Sequence, residues 1–279
     1  MIKKLLVVGV CLLMMQTTWA QDLRTLTYNL RYDTEADGDN RWDNRKEFLI
    51  AQLRFYQPDV FGTQEGLLHQ LQAIREGLED YDFIGKGRDH GGEEGEFSAI
   101  FYNKYTLNLL AENTFWLSET PEVPSLGWDA AIKRVCTYAL FESRKEGRKF
   151  YVFNTHLDHM GETARQESVR LLLEKIKSIN TAALPVILMG DFNLEPDHAS
   201  ITVLGKEMED AHHLAGPGYF GPAGTFNGFS VSEAASRRID YLFLSPLKFR
   251  LLRYAILTAT KDGRYPSDHF PVLADLDFR

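Results

Sequence analysis

Apolar side chains along this chain fall into short, strand-length runs separated by polar turn segments, and a few stretches show helical spacing instead. Strands are predicted over Leu23 to Leu30, Val60 to Thr63, Ser98 to Tyr102, Val135 to Glu142 and Phe150 to Thr155. Further strands are predicted over Val186 to Met189, Tyr241 to Leu244, Phe249 to Leu257 and Val272 to Leu276. Helical spacing predicts helices over Asn44 to Tyr56, Leu67 to Leu78, Thr163 to Ile179 and Ala199 to Lys206. The third is the clearest, with Val169, Leu172, Leu173 and Ile176 on one face and charged residues opposite, the pattern of a scaffold helix packed on a sheet. Thr163, three residues before Gln166, predicts a capping box at its start. Many strands and few helices argue for an α+β fold, or a helix-flanked β-sandwich, over a strict βαβ repeat. No repeat, low-complexity tract or Pro/Ser-rich linker interrupts residues 21–279, so one domain is expected there.

The amino-terminal segment breaks the pattern. Lys3 and Lys4 precede an apolar core from Leu5 to Met15, and Thr18-Trp19-Ala20 places small residues at cleavage positions. Residues 1–20 are therefore expected to be a signal peptide, the protein exported to the periplasm or the extracellular space, and the mature chain to begin near Gln21. The apolar run is too short to span a bilayer and no later stretch is long or apolar enough, so no transmembrane segment is expected in the mature chain. Val10 is larger than a lipobox carries before its cysteine, which argues against lipidation of Cys11. Loss of the leader leaves Cys136 as the single thiol, so no intramolecular disulfide can form and the fold must rest on its core. A hydrophobic content of 44% supplies that core. A monomer is expected.

Charge narrows the function classes. The formal net charge is −8, and removal of Lys3 and Lys4 with the leader makes it −10. An acidic exterior repels polyanions at long range and disfavours indiscriminate nucleic-acid binding, while leaving room for a local cationic cleft and for acidity that binds metal.

Six short motifs carry the candidate chemistry: Tyr28-Asn29-Leu30, Gly62-Thr63-Gln64-Glu65, Asn154-Thr155-His156-Leu157-Asp158, Gly190-Asp191-Phe192-Asn193, Arg238-Ile239-Asp240-Tyr241 and Ser267-Asp268-His269. Each sets a carboxylate, carboxamide or imidazole at the end of an apolar run, where side chains from distant segments can converge. In Pro185 to Asn193 a buried strand meets a glycine that permits a close turn, and extended alternation sends Asp191 and Asn193 to one side. A carboxylate there can deprotonate a water while the carboxamide donates to a phosphoryl oxygen. Alone, the motif would read as an ordinary Asx turn. Asn29 and Glu65 end other strands and offer hard oxygen ligands suited to Mg²⁺, although Glu65 alone reads equally well as a residue preceding a helix. His156 and His269 end two more strand-like segments, and Asp240 is a candidate partner for His269.

With these motifs in order, the chain resembles the endonuclease/exonuclease/phosphatase superfamily, the fold of DNase I, abasic-site endonucleases, neutral sphingomyelinases, inositol polyphosphate phosphatases and deadenylases. The resemblance runs from Asn29 to His269, nearly the whole mature chain. It implies a four-layer α/β sandwich of two packed, mostly antiparallel β-sheets flanked by helices, and in-line attack of an activated water without a covalent intermediate. It also implies Mg²⁺, with Mn²⁺ as an alternative, held by Asn29, Glu65 and Asp268, Glu65 being the main ligand. Asp191 is implied to activate the water, Asn193 to position it or contact the phosphate, His269 to bind the scissile phosphate and Asp240 to orient that imidazole. His156 matches a second phosphate-side histidine, and Glu96 sits where some members pair a glutamate with it.

Arg134 is the substrate-binding candidate of the Gly127-Trp128-Asp129-Ala130-Ala131 region. The rest of that region and Asn40-Arg41-Trp42 read better as surface salt bridges and core tryptophans, and Thr225 to Phe229 lies where the family has a substrate-side loop. His156, Asp158 and His159 invite a transition-metal reading that ranks below Mg²⁺, because alternation turns His159 away from the other two. His212 and His213, on an exposed-looking segment, read as structural. The substrate is a phosphate ester: a small molecule, a lipid head group or a nucleic acid. The acidity and the lack of a Lys/Arg-rich stretch lean toward a small or lipid-derived phosphate over a nuclease. A binding module that had lost turnover would lack one of Glu65, Asp191, Asn193 or His269, and all are present.

Overall fold

The computed structural model describes residues 21–279; the expected leader, 1–20, lies outside the described residues. Along the chain run β1 (Leu23–Asn29), α1 (Trp42–Tyr56), β2 (Val60–Gly66), α2 (Leu68–Gly77), β3 (Tyr81–Ile84), β4 (Phe97–Asn103) and β5 (Leu107–Trp116). Then come β6 (Val135–Ser143), β7 (Lys149–His156), α3 (Glu162–Ile179), β8 (Val186–Asp191), α4 (Ala199–Glu207), β9 (Glu209–Asp210) and α5 (Ala211–Ala215). The chain closes with β10 (Asp240–Leu244), β11 (Phe249–Ile256) and β12 (Val272–Phe278). Two 6-stranded sheets form, in the orders β11-β12-β1-β2-β4-β3 and β5-β6-β7-β8-β10-β9. β1 pairs in parallel with β2, and β7 with β8; the remaining ladders are antiparallel.

Three layers of apolar packing explain the architecture. Leu23, Val60, Phe141, Val152, Ile187 and Leu242 fill the space between the sheets. Leu49, Leu53, Leu71 and Ile74 of α1 and α2 cover the outer face of the first sheet on Leu26, Tyr28 and Phe61. Val169, Leu172, Ile201 and Leu204 of α3 and α4 cover the second on Phe153, Leu188 and Phe243. This is the predicted four-layer sandwich, with helices outside two packed sheets. Among the described residues no helix is long and apolar enough to cross a membrane.

β3, β5 and β9 were not predicted, and each lies at the edge of a sheet. The middle of β5 is exposed, so its alternation fades there. The predicted capping box is also absent. Helix α3 begins at Glu162, with Gly161 as N-cap and Thr163 inside the first turn. Its free N–H groups go instead to the Asp129 carboxylate, which accepts from Thr163 N at 3.2 Å and Ala164 N at 2.6 Å. A carboxylate from another segment thus does the work assigned to Thr163.

The inter-sheet face changes character along its length. At one end it is apolar, with Leu23, Val60, Phe150 and Ile187. Farther along the same strands Gln64 Nε2 donates to Thr27 Oγ1 (3.1 Å) and Asn154 Oδ1 (2.6 Å), and Asn154 Nδ2 donates to the carbonyls of Thr63 (2.9 Å) and Ala99 (2.8 Å). Gly62 permits this close approach, since a Cβ there would lie 2.5 Å from Asn154 Oδ1. Beyond this layer the strands end in Asn29, His156 and Asp191, all buried. Parallel pairing of β7 with β8 places His156 beside Asp191, and antiparallel pairing of β10 with β8 places Asp240 on its other side.

Candidate active site

The strand ends open into a cleft of about 480 Å³, lined among others by Glu65, Arg88, Glu96, Arg134, His156, Asp191, Asn193, Asp268 and His269. Backbone geometry aims two of these side chains. A register shift in β2 between Thr63 and Gly66 holds Glu65 at φ 62°, and Asn193 sits at φ 49°, both in the left-handed region uncommon for residues other than glycine. Gly190, at φ 144°, lets β8 run close to β7: a Cβ there would lie 2.0 Å from the Thr155 carbonyl.

Asp191 stands at the centre. Its Oδ2 accepts from Asn29 Nδ2 at 3.0 Å and lies 3.5 Å from His156 Nε2 and 3.7 Å from His269 Nε2. Its Oδ1 accepts from the Asn193 N–H at 2.9 Å. Burial, then repulsion from Asp240, pushes its carboxyl up to about 7, against the opposing pull of His269 and Asn29.

The two imidazoles are driven apart. Burial would neutralise His269, but Asp240, whose Oδ2 lies 2.8 Å from His269 Nδ1, together with Asp191 and Asp268 holds it well above the ordinary histidine range. Burial, then the charges of Arg134 and Arg88, pushes His156 well below that range. At neutral pH His269 is a cation and His156 a neutral ring, whose Nε2 lies 3.1 Å from Asn193 Nδ2.

Glu65 and Asp268 form the acidic side. Burial raises the Asp268 carboxyl, and Glu65 adds to this against the opposing pull of His269, Arg31 and Arg45. Arg31 approaches each of them only to 4.0 Å and is itself hydrogen-bonded to Asp37. Their carboxylates offer the hard oxygens that a divalent ion takes. Asp191, Asp240 and His269 also place ligand atoms within 4.8 Å of one another. There His269 Nδ1 and Asp240 Oδ2, 2.8 Å apart, already engage each other, whereas the nearest cationic nitrogen of Arg31 stands 4.0 Å from Glu65 and from Asp268.

Asn29 sits between the two sides, but its amide nitrogen faces Glu65 Oε1 (3.1 Å) and Asp191, while its oxygen accepts from the Arg31 N–H at 2.9 Å. In this arrangement its amide nitrogen bridges the two carboxylates, and its oxygen is bonded to one backbone N–H. The expected Glu96–His156 pair is corrected: Glu96 Oε2 accepts from Arg88 Nη1 at 2.6 Å, and its carboxyl is raised to about 7 mainly by burial. Arg88 lies eight positions earlier, in a turn segment with no periodic signal, and no motif announced it.

Arg134 is buried at the cleft wall, with Nη2 3.2 Å from His159 Nδ1 and Nε 3.7 Å from Asp158 Oδ1. Asp158 Oδ2 accepts from the N–H groups of Ala131, Met160 and Gly161. Asp158 is thus a loop organiser, and the His156-Asp158-His159 metal reading fails. Phe226, from the expected substrate-side loop, packs edge-on to His269 with ring centroids 5.1 Å apart, and Arg237 lies over its outer face. Trp42 is buried in the core beneath α1. His212 proves less exposed than expected, its ring 4.6 Å from that of Tyr219.

Comparison with known proteins agrees with this geometry. The model of the endonuclease/exonuclease/phosphatase family matches residues 26–269. A mannosyl-6-phosphatase of Bacteroides thetaiotaomicron is similar in structure at 39% identity and a TM-score of 0.86, over 92% of this chain and 100% of that one. The catalytic domain of human nocturnin shares the fold at 22% identity and a TM-score of 0.72, over 92% of this chain and 93% of that one. Among curated proteins, an uncharacterized protein of Acanthamoeba polyphaga mimivirus is 30% identical over 59% of this chain and 63% of its own length. Nocturnin of Drosophila melanogaster is 26% identical over 92% of this chain and 47% of its own length. The chain thus spans about half to two thirds of these curated relatives. Its family is metal-dependent and cleaves phosphoester bonds. The chain belongs to the endonuclease/exonuclease/phosphatase family of phosphoester hydrolases.

Proposed function

We propose that this protein is an exported, Mg²⁺-dependent phosphomonoesterase acting on a small phosphorylated metabolite, a sugar phosphate in the first instance. The observation that carries this reading is the cleft itself. A compact, cation-walled site of about 480 Å³ on a chain of net charge −8 suits a small anion better than a polymer. Likeness to a mannosyl-6-phosphatase over nearly the whole of both chains supports the same class. Export rests on the basic, apolar and small-residue pattern of residues 1–20.

Glu65 and Asp268 would hold the metal, which supplies charge neutralisation at the phosphoryl oxygens and a more acidic bound water. Asp191, with a carboxyl poised near 7, takes the proton of the attacking water. His269, kept cationic by Asp240, presents Nε2 to the developing charge on the phosphoryl group. Asn193 and Arg134 add donors on the side of neutral His156, so the protein chiefly positions and neutralises.

The test is turnover by the chain beginning at Gln21. Mg²⁺-dependent hydrolysis of mannose 6-phosphate and p-nitrophenyl phosphate is expected, abolished by EDTA and lowered at least about a hundredfold by His269→Ala. Faster cleavage of bis(p-nitrophenyl) phosphate, sphingomyelin or single-stranded DNA than of either monoester would overturn the substrate class. Amino-terminal sequencing after expression of the full chain should find Gln21 outside the cytoplasm.

A further inference from the structure

We propose that Arg45 is a positioning residue for this active site, its guanidinium locking the exit of β1 to the segment that delivers Asp268 and His269; the kinetic part of the proposal rests on the phosphoesterase reading above. Arg45 lies in the first turn of α1 and is 4% exposed. It is not among the residues lining the catalytic cleft. Four hydrogen bonds carry its charge to backbone carbonyls: Nε to Asn40 O at 2.8 Å, Nη1 to Leu30 O at 2.5 Å and Pro266 O at 3.0 Å, and Nη2 to Arg31 O at 2.5 Å. The rings of Trp42 and Phe229 lie 5.2 and 5.8 Å from its Cζ.

The carbonyls it holds are not arbitrary. Leu30 and Arg31 follow Asn29 directly, where the chain turns through a left-handed residue, Arg31 at φ 56°. Pro266 immediately precedes Ser267, Asp268 and His269. One nitrogen, Nη1, bonds to both Leu30 O and Pro266 O, which fixes their separation. Ser267 Oγ donates to Asn29 O at 2.7 Å and makes a second tie between the same segments. Phe229 ends the loop whose Thr225 Oγ1 accepts from the Asp240 N–H at 3.1 Å and whose Phe226 touches His269. Arg45 therefore joins the three segments that bring Asn29, Asp268 and His269, and Asp240's neighbours, to the cleft. Burying a guanidinium is costly, and its five donors in a rigid fork are what four carbonyls require. A lysine keeps the charge but not the fork.

The expected result for Arg45→Lys is a folded protein with kcat reduced at least about tenfold and KM within about threefold of wild type, because displacement of catalytic groups by about an ångström is costly while Arg88 and Arg134 stand on other segments. Half-saturation by Mn²⁺, followed by its electron-spin resonance, should rise in parallel, since Asp268 moves with Pro266. Without any substrate, the downfield proton resonance of the His269 Nδ1–H···Asp240 bond should shift or broaden. Leu204→Ala, in α4 on the far face of the other sheet, controls for lost stability and should leave all three readouts unchanged at a temperature below unfolding. Unchanged kcat, metal half-saturation and resonance in Arg45→Lys, or the same changes in Leu204→Ala, would overturn the proposal. Failure of both Arg45→Lys and Arg45→Gln to fold would also overturn it, by making Arg45 a folding residue. If the wild type neither binds Mn²⁺ nor turns over any ester, the phosphoesterase reading fails, and the resonance still decides the role of Arg45.

Discussion

Asp191 concentrates the conflict between stability and function in a single side chain. Burial and Asp240 hold its carboxyl near 7, well above the ordinary carboxylate range, so the folded protein resists the ionisation that the unfolded chain undergoes freely. Any stability tied to this group is fully present below the unfolded value of about 3.9 and is lost as pH climbs through about 7. Asp191→Asn removes that penalty. In EDTA the variant's Tm should exceed that of wild type by more at pH 8 than at pH 5, with the gap widening by several degrees, while turnover falls at least about a hundredfold. A gap that does not change with pH would mean that ionisation of Asp191 costs the fold nothing. Asn29, Glu65 and Asp191 were legible because each closes an apolar run, and His269 because it stands just ahead of one; such strand ends converge in a sandwich. Arg31 and Arg88 were not, because they lie in turn segments whose course no periodicity fixes. Glu96 was legible as a site residue, but its partner depended on a turn that brings Arg88 to it.

Elements were read well wherever both faces of a strand, or one face of a helix, meet apolar neighbours. β7 and β8 lie near the middle of their sheet and were found to within a residue or two. The edge strands β3, β5 and β9 lacked that signal. The start of α3 was misread for a different reason: a local pattern, Thr163 before Gln166, competed with a distant carboxylate that the sequence does not connect to it. Asp129 caps this helix through two backbone N–H groups, and those bonds hold its carboxyl below the usual range. Asp129→Ala should therefore lower the urea midpoint and increase amide exchange in the first turn of α3, with a smaller effect from Thr163→Ala. Equal losses from the two variants would restore Thr163 as the cap.

At the scale of the whole molecule the sandwich does one thing for chemistry: it aligns the ends of the central strands of both sheets so that acidic and basic groups from six segments meet in one cleft. The price of that convergence is electrostatic. Burial raises the Asp268 carboxyl and repulsion from Glu65 raises it further, so without a divalent ion the folded state carries a strain that the unfolded chain does not. A divalent ion bound only by the folded state reverses the sign, because its binding free energy adds to stability as its concentration exceeds the dissociation constant. Asp268→Asn separates the two effects, since it removes one of the repelling charges and one of the oxygens proposed to hold the ion. In EDTA the variant should melt above wild type; in saturating Mg²⁺ wild type should gain several degrees, the variant little, and their order should invert. Thermal melts at constant ionic strength measure this crossing. Parallel curves in the two conditions would show that Asp268 neither strains the metal-free fold nor belongs to the ion's ligands, leaving Glu65 and Asp191 to account for metal binding.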